Sequence, residues 1–154
     1  MAVPDRMIEL VLLRRGVVAR ARLLEREAPR TCQMLWDLLP IERESIHAIY
    51  SGCELYVVWP WQGDAPPREN FTACTDAGDL FFYYAPWYQA DARPGGEIAI
   101  YYDRDAIPTG GGGLMAGSLF ATIVENRAAF AAACDAMSYQ GVDTLIIRPA
   151  AEPR

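Results

Sequence analysis

His47 is the only histidine in the chain. Its ordinary pKa near neutrality makes it the first group to weigh for general acid or base work. It sits in the stretch SIHAIY (45–50), whose alternation predicts a strand with Ile49 and Ser51 on the histidine's face. A hydrogen-bonded structural histidine is the competing reading. Glu69 and Asn70 end a Pro-rich loop, QGDAPPREN (62–70), from which a carboxylate and an amide could face a pocket mouth. A solvated loop in which Asn70 caps a turn explains the same two residues. A single histidine excludes multi-histidine metal sites and any two-histidine relay.

Other polar groups carry weaker signals. Asp103 and Asp105 are spaced to pair on one strand face, or to form a charged loop. Asp79, directly after Gly78, suits a turn. The tract Gly110–Gly113 has backbone amides that could cradle an anion. It lacks the GK[ST] signature and no helix signal follows it, so a lid or linker is the expectation. There is no G-x-S-x-G, and Cys53 and Cys74 have no visible activating partner.

The aromatics are the strongest compositional feature. FFYYAPWY (81–88) places six rings in eight residues, and Tyr50, Trp59, Trp61, Tyr101 and Tyr102 flank it. A strand sends alternate side chains to opposite faces, so this segment loads both faces with rings. Each ring buries about 150–250 Å², and at about 25 cal/mol per Å² an uncovered face forfeits several kcal/mol. One face can be core. The other is expected to line a pocket or a subunit interface, because tyrosine and tryptophan carry polar tips that need partners when buried.

The elements that must position these groups are mostly strands. Residues 6–24 predict a hairpin turning at Arg14-Arg15-Gly16. A helix opened by Pro29 presents Cys32, Leu35, Trp36 and Leu39 and stops at Pro40. SIHAIY, a Ser51-Gly52 turn and ELYVVW predict a second hairpin. The aromatic strand, GEIAIYYD (96–103), SLFATIV (118–124) and TLIIRP (144–149) predict further strands, with an Ala-rich helix over 125–137. Many strands and two helices predict one mainly β domain over 1–154, a closed barrel with capping helices.

At 154 residues with 52% apolar and 22% charged residues, the chain can bury a sizeable core. Net charge is −6, all fourteen basic residues are arginine, and lysine is absent. That balance argues against nucleic acid and anionic membranes as partners. It also excludes Schiff-base chemistry and the P-loop lysine. No apolar run approaches the ~18 residues of a bilayer span, and MAVPDRMIEL is unlike a secretory leader. With four cysteines and no C-x-x-C, a cytoplasmic location and reduced thiols are expected, without cofactor or metal.

Within LLEREAPRTCQMLWDLL (23–39), the positions Pro29, Arg30, Thr31, Trp36 and Leu39 resemble the first helix of cyclophilins. FATIVENRAAF (120–130) resembles the cyclophilin strand-to-helix passage, and Gly78-Asp79-Leu80 has a counterpart there. A closer likeness is to a bacterial family of small cyclophilin-like proteins without an assigned reaction. It rests on SIHAIYSG, on Glu69, Asn70 and Thr72, on GDLFFY and on FATI. The resemblance implies a closed barrel of about eight strands with helices at its ends, and implies no chemistry. Cyclophilins carry prolyl isomerisation on an arginine of a Phe-His-Arg-Ile segment, where this chain has Ala48. A methyl group cannot hydrogen-bond the prolyl amide, so prolyl isomerase activity is not expected.

The expected function is binding of a small metabolite in an aromatic pocket, with polar contacts from His47, Glu69 and Asn70 and walls from Trp59, Tyr83 and Tyr102. One alternative is a metal-independent hydrolase or isomerase in which His47 or Glu69 transfers a proton. Another is a structural homo-oligomer that buries the aromatic face between chains.

Overall fold

Apolar alternation builds most of this chain into antiparallel strands, and the computed structural model describes residues 5–90 and 93–151. β1 (Met7–Leu12) and β2 (Val17–Leu23) form the expected hairpin, with Met7 opposite Arg22 and Leu12 opposite Val17. Ile8, Leu10, Leu12, Ala19, Ala21 and Leu23 all point inward and are buried. Asp143 pins the turn. Its fully buried carboxylate accepts the backbone N–H groups of Arg14 and Arg15 at 2.8 and 3.1 Å, and Arg15 Nη1 at 3.2 Å.

α1 (Pro29–Asp37) carries its proline in the first turn, where the missing N–H costs nothing. Cys32 and Leu35 are buried, whereas Trp36 and Leu39 are only half-buried. The Arg6 guanidinium lies 4.5 Å over the Trp36 ring. β3 (Ile41–Glu44) is additional to the expected elements, since only Ile41 of its four residues is buried and it shows no alternation. β4 (Ile46–His47), a 3₁₀ turn at Ile49–Ser51 and β5 (Glu54–Pro60) make the second hairpin.

β6 (Phe71–Thr72) is a short piece on the sheet's flank, and β7 (Asp79–Ala90) is the aromatic strand. The side chains of Trp87 and Tyr88 lie outside the described residues. β8 (Arg93–Tyr101) pairs with β7 on one side and β5 on the other. The glycine tract, expected as a lid or linker, forms a two-residue ladder between β9 (Thr109–Gly110) and β10 (Gly113–Leu114). β11 (Gly117–Glu125), α2 (Arg127–Gln140) and β12 (Thr144–Pro149) complete the chain.

Among the described residues the sheet runs β3-β12-β1-β2-β11-β7-β8-β5-β4, with β6 added on β11. Its two terminal strands, β3 and β4, are consecutive in the chain with only Ser45 between them. Ser45 donates from both its backbone N–H and its hydroxyl to the Asp143 carbonyl, at 2.9 and 2.6 Å. The sheet therefore nearly closes on itself. The result is a mainly β, barrel-like fold with two helices, in which eight strands are longer than two residues. α1 packs against β11, and α2 against β2 and β4. No helix of the described residues is long and apolar enough to cross a membrane.

Register then sorts the aromatic strand. Leu80, Phe82 and Tyr84 face the main core with Leu55, Val57, Trp59, Ile98, Ile100 and Tyr102. Phe81 and Tyr83 face the other way and join Ala99 and Tyr101 in a second buried cluster. Ala106 and Met115, from the connection between β8 and β11, and Leu119 of β11 pack over that cluster and cover the outer face. Over residues 80–84, both faces of the strand are thereby packed within one chain.

Candidate functional site beneath the glycine-rich connection

The second cluster has polar company. Glu54 faces Tyr101 across the β5–β8 ladder, Tyr56 faces Ala99, and Tyr83 faces Glu97 across β7–β8. Period-2 alternation therefore puts two carboxyls and three phenols on one sheet face. A cleft of about 130 Å³ opens there, between Tyr50, Glu54, Tyr56, Glu97, Tyr101 and Met115, with residues 109–111 as its lip. The lip is fixed by Ser51, whose hydroxyl accepts the Thr109 N–H at 3.1 Å and lies 3.3 Å from the Thr109 carbonyl. Tyr50 is 66% exposed at the rim.

Glu54 is buried, and its Oε2 has no hydrogen-bond partner among the described residues. Burial pushes its carboxyl up to about 7, and a bond from Ser51 offsets that only partly. Glu97 rises to about 8, through burial first and then the neighbouring charge of Glu54. Burial likewise holds the phenols of Tyr56, Tyr83 and Tyr101 well above their ordinary value. The Tyr83 and Tyr101 hydroxyls are hydrogen-bonded at 2.8 Å.

A larger groove of about 470 Å³ adjoins the cleft and shares Met115 with it. Tyr83, Phe71, Arg68 and Leu114 are among its walls. At its edge a Cβ on Gly117 would lie 2.6 Å from the Tyr83 ring. A Cβ on Gly110, at the lip of the smaller cleft, would make the flexible Met115 thioether turn aside.

The residues singled out from the sequence occupy four different places. His47 lies on β4 with Nε2 2.6 Å from the Tyr102 hydroxyl and 3.4 Å from Ser138 Oγ on α2. Burial lowers its pKa, opposed only by Asp135, which favours a neutral ring. Tyr102 belongs to the main core, as does Trp59, which packs against Trp61 and Phe82. Glu69 accepts the Thr31 backbone N–H at 2.7 Å, the Thr31 hydroxyl at 3.0 Å and Arg30 Nε at 2.9 Å. It caps α1 from a distant loop, where the residue before the helix, Ala28, has no side chain to do so. Burial alone would raise the Glu69 carboxyl, but the bonds from Arg30 and Thr31 outweigh it and hold it below the usual range.

Asn70 takes a left-handed backbone (φ 45°), and its amide donates to the Leu119 carbonyl at 3.0 Å, tying the loop to β11. Of the six named residues, only Tyr83 reaches the outer cluster. The structure pairs His47 with Tyr102 and joins neither to Glu69. Asp79, expected to fix a turn, accepts the Asp76 N–H at 2.9 Å. Asp103 is an exposed loop carboxylate 3.8 Å from Arg127. Among the described residues no three histidine, cysteine, aspartate or glutamate side chains converge as a metal site.

Glu54 and Glu97 were not singled out by the sequence reading, although a signal exists. Glu54 opens β5 and Glu97 lies within β8, each the lone carboxyl of its strand and on the same alternation face as tyrosines. A carboxyl in such a place is costly unless it is paired or used.

A mainly β barrel with a covered outer face and buried carboxyls is the class defined by this fold and site. The chain belongs to the DUF3830 family, described as proteins of unknown function, whose model matches residues 10–147. It is also similar in fold to the solution structure of the hypothetical protein AF2241 from Archaeoglobus fulgidus. That likeness has a TM-score of 0.57 at 16% sequence identity and covers 95% of each chain. The search of curated proteins returned no match.

Proposed function

We propose that this protein binds a small molecule in the outer cleft between Glu54, Glu97 and Tyr101, beneath the glycine-rich connection. The observation that carries the reading is the Glu54 carboxyl, buried with one oxygen unpartnered and facing a cavity. A polar group left so costs about 1–3 kcal/mol, and a ligand that supplies the missing partner recovers that cost. The tyrosine walls fit a ligand with both apolar and hydrogen-bonding parts. Prolyl isomerisation has no support in the geometry. Ala48 is fully buried, and its backbone N–H is spent on the Glu54 carbonyl at 2.9 Å.

A metal-independent hydrolase or isomerase is a second reading, favoured by one observation. Glu54 and Glu97 titrate near 7 and 8, where a carboxyl can both take and give a proton. The test is an NMR screen of small molecules of all charge types, with the Met115 methyl as reporter. A ligand of the cleft shifts that methyl in the native protein and loses affinity in Glu54→Gln. Silence of Met115 across the whole screen would overturn the proposal.

A further inference from the structure

The cleft is small. Its roughly 130 Å³ holds about four or five groups of water size, at about 30 Å³ each. Its described walls carry one electrostatic sign. Glu54 and Glu97 face it from β5 and β8, Tyr50, Tyr56 and Tyr101 line it, and among the described residues no arginine or histidine is in its walls. The chain has no lysine. Arg68 lines the adjoining cavity and stacks on Phe71 at 4.7 Å. The charge of Glu54 acts on Glu97, and a hydrogen bond from Ser51 partly offsets the burial of Glu54.

Buried carboxylates in such a setting call for a positive partner. Ring faces add to this, because the aromatic quadrupole attracts cations and weakly hydrated ammonium groups above all. We propose that the cleft seats the head of an organic cation, an ammonium or guanidinium held between Glu54 and Glu97 and against the tyrosine rings. This rests on the small-molecule reading of the same cleft.

Two further observations narrow the ligand. A bound metal ion fits poorly, because calcium takes about six to eight oxygens and no third metal-ligating side chain converges here among the described residues. Met115 forms a wall of both the cleft and the larger groove, so a ligand's remainder runs past the thioether toward Phe71 and Tyr83. Such a path suits an apolar or aromatic tail. The ligand class is therefore an amine or guanidine with an apolar tail.

The same geometry sets a proton linkage. A cation favours the ionised carboxyls, so binding releases a proton wherever they are protonated in the free protein. Affinity for a cation then rises with pH through the range of about 7 to about 8 in which Glu54 and Glu97 titrate.

The test titrates the full chain with n-butylammonium, n-butanol and butyrate, by calorimetry and by the Met115 methyl signal. n-Butylammonium is expected to bind at least about tenfold tighter than either analogue. Its affinity should rise about tenfold or more from about pH 6 to about pH 9, with proton release. Glu54→Gln should weaken it by a similar factor. Equal or tighter binding of n-butanol or butyrate, or affinity that falls with pH, would overturn the cationic ligand and leave the cleft standing. If n-butylammonium is silent while other molecules of the broader screen move Met115, the outcome is the same. Silence across that screen removes both proposals. Should Glu54→Gln fail to fold, the pH series on the native chain decides alone.

Discussion

The hydroxyls of Tyr83 and Tyr101 lie 2.8 Å apart on neighbouring strands, both side chains buried against the underside of the glycine-rich connection. One hydroxyl donates to the other, and the acceptor keeps its own proton for a further partner. Burial disfavours either phenolate, and the Glu54 carboxyl nearby adds to the penalty. Both tyrosines should therefore stay protonated under alkaline conditions that ionise ordinary phenols, around pH 10. Spectrophotometric titration of Tyr83→Phe and Tyr101→Phe checks this, since neither change should remove a transition near that pH. Each should cost about 1 kcal/mol of stability through the lost hydrogen bond. Loss of an ordinary tyrosine transition in either variant would contradict the buried pair.

Glu54 and Glu97 should make the protein less stable in alkali. Their folded pKa values, about 7 and about 8, lie above the unfolded carboxyl value near 4.5. Between these limits the folded state binds more protons than the unfolded chain. Stability from these groups is thus full below about pH 4.5 and is lost as pH rises through 7 and 8. Glu54→Gln and Glu97→Gln should flatten that decline. At about pH 9 each should gain on the order of 1–3 kcal/mol over the native chain, with little change near pH 5. Denaturant melts at the two pH values measure the difference, and an equal effect at both would show that the carboxyls are ionised in the folded state throughout.

Glu69→Ala should loosen α1 without disturbing the barrel. The carboxylate satisfies one of the helix's first amides, which Ala28 cannot reach, and it also holds the Thr31 hydroxyl. Loss of such a cap costs about 0.5–2 kcal/mol. Because the bonds from Arg30 and Thr31 hold its pKa below the ordinary 4.5, the contribution is present above that pH and lost as pH falls through the folded value. Arg30 is mostly exposed, so its ion pair adds little. Hydrogen exchange should quicken across residues 29–37 and remain slow in β11. A helix that keeps its protection in the variant would refute the cap.

Strand alternation made most of the barrel readable. TLIIRP, the two hairpins and the second helix lie within a few residues of where apolar periodicity puts them. β3 escaped because three of its four residues are exposed charged side chains and only backbone pairing to β12 defines it. The site was harder for a different reason. Tyr83 of β7 and Tyr102, one residue past the end of β8, fall on opposite positions of the alternation, so one faces the outer cluster and the other the core. Ring count alone does not settle phase, which depends on pairing register. Glu69 and Asn70 were conspicuous as polar residues in a loop, yet their partners, Thr31 and Leu119, lie 38 and 49 positions away. A long-range cap has no local signature.

His47→Gln separates three roles for the single histidine. The ring is half-buried on β4, with Tyr102 at 2.6 Å and Ser138 at 3.4 Å, and burial keeps it neutral despite Asp135. A neutral imidazole can accept the Tyr102 proton, and a glutamine amide can imitate that bond. If the histidine is structural, the variant should lose about 1 kcal/mol and shed part of the native protein's acid sensitivity. The sign follows from the lowered pKa. The unfolded chain binds the proton first, so the native fold loses stability as pH falls below 6.5 and through the folded value. If the ring orients a ligand, binding should weaken by about 1–3 kcal/mol with the melting temperature unchanged. If it transfers a proton, any turnover should vanish while stability and binding persist. The 2.6 Å bond to a core tyrosine favours the first outcome. Denaturation curves at about pH 5 and about pH 8, set beside a titration of the cleft ligand, distinguish the three, and a variant that matches the native protein in every measurement would assign His47 no role in stability or site.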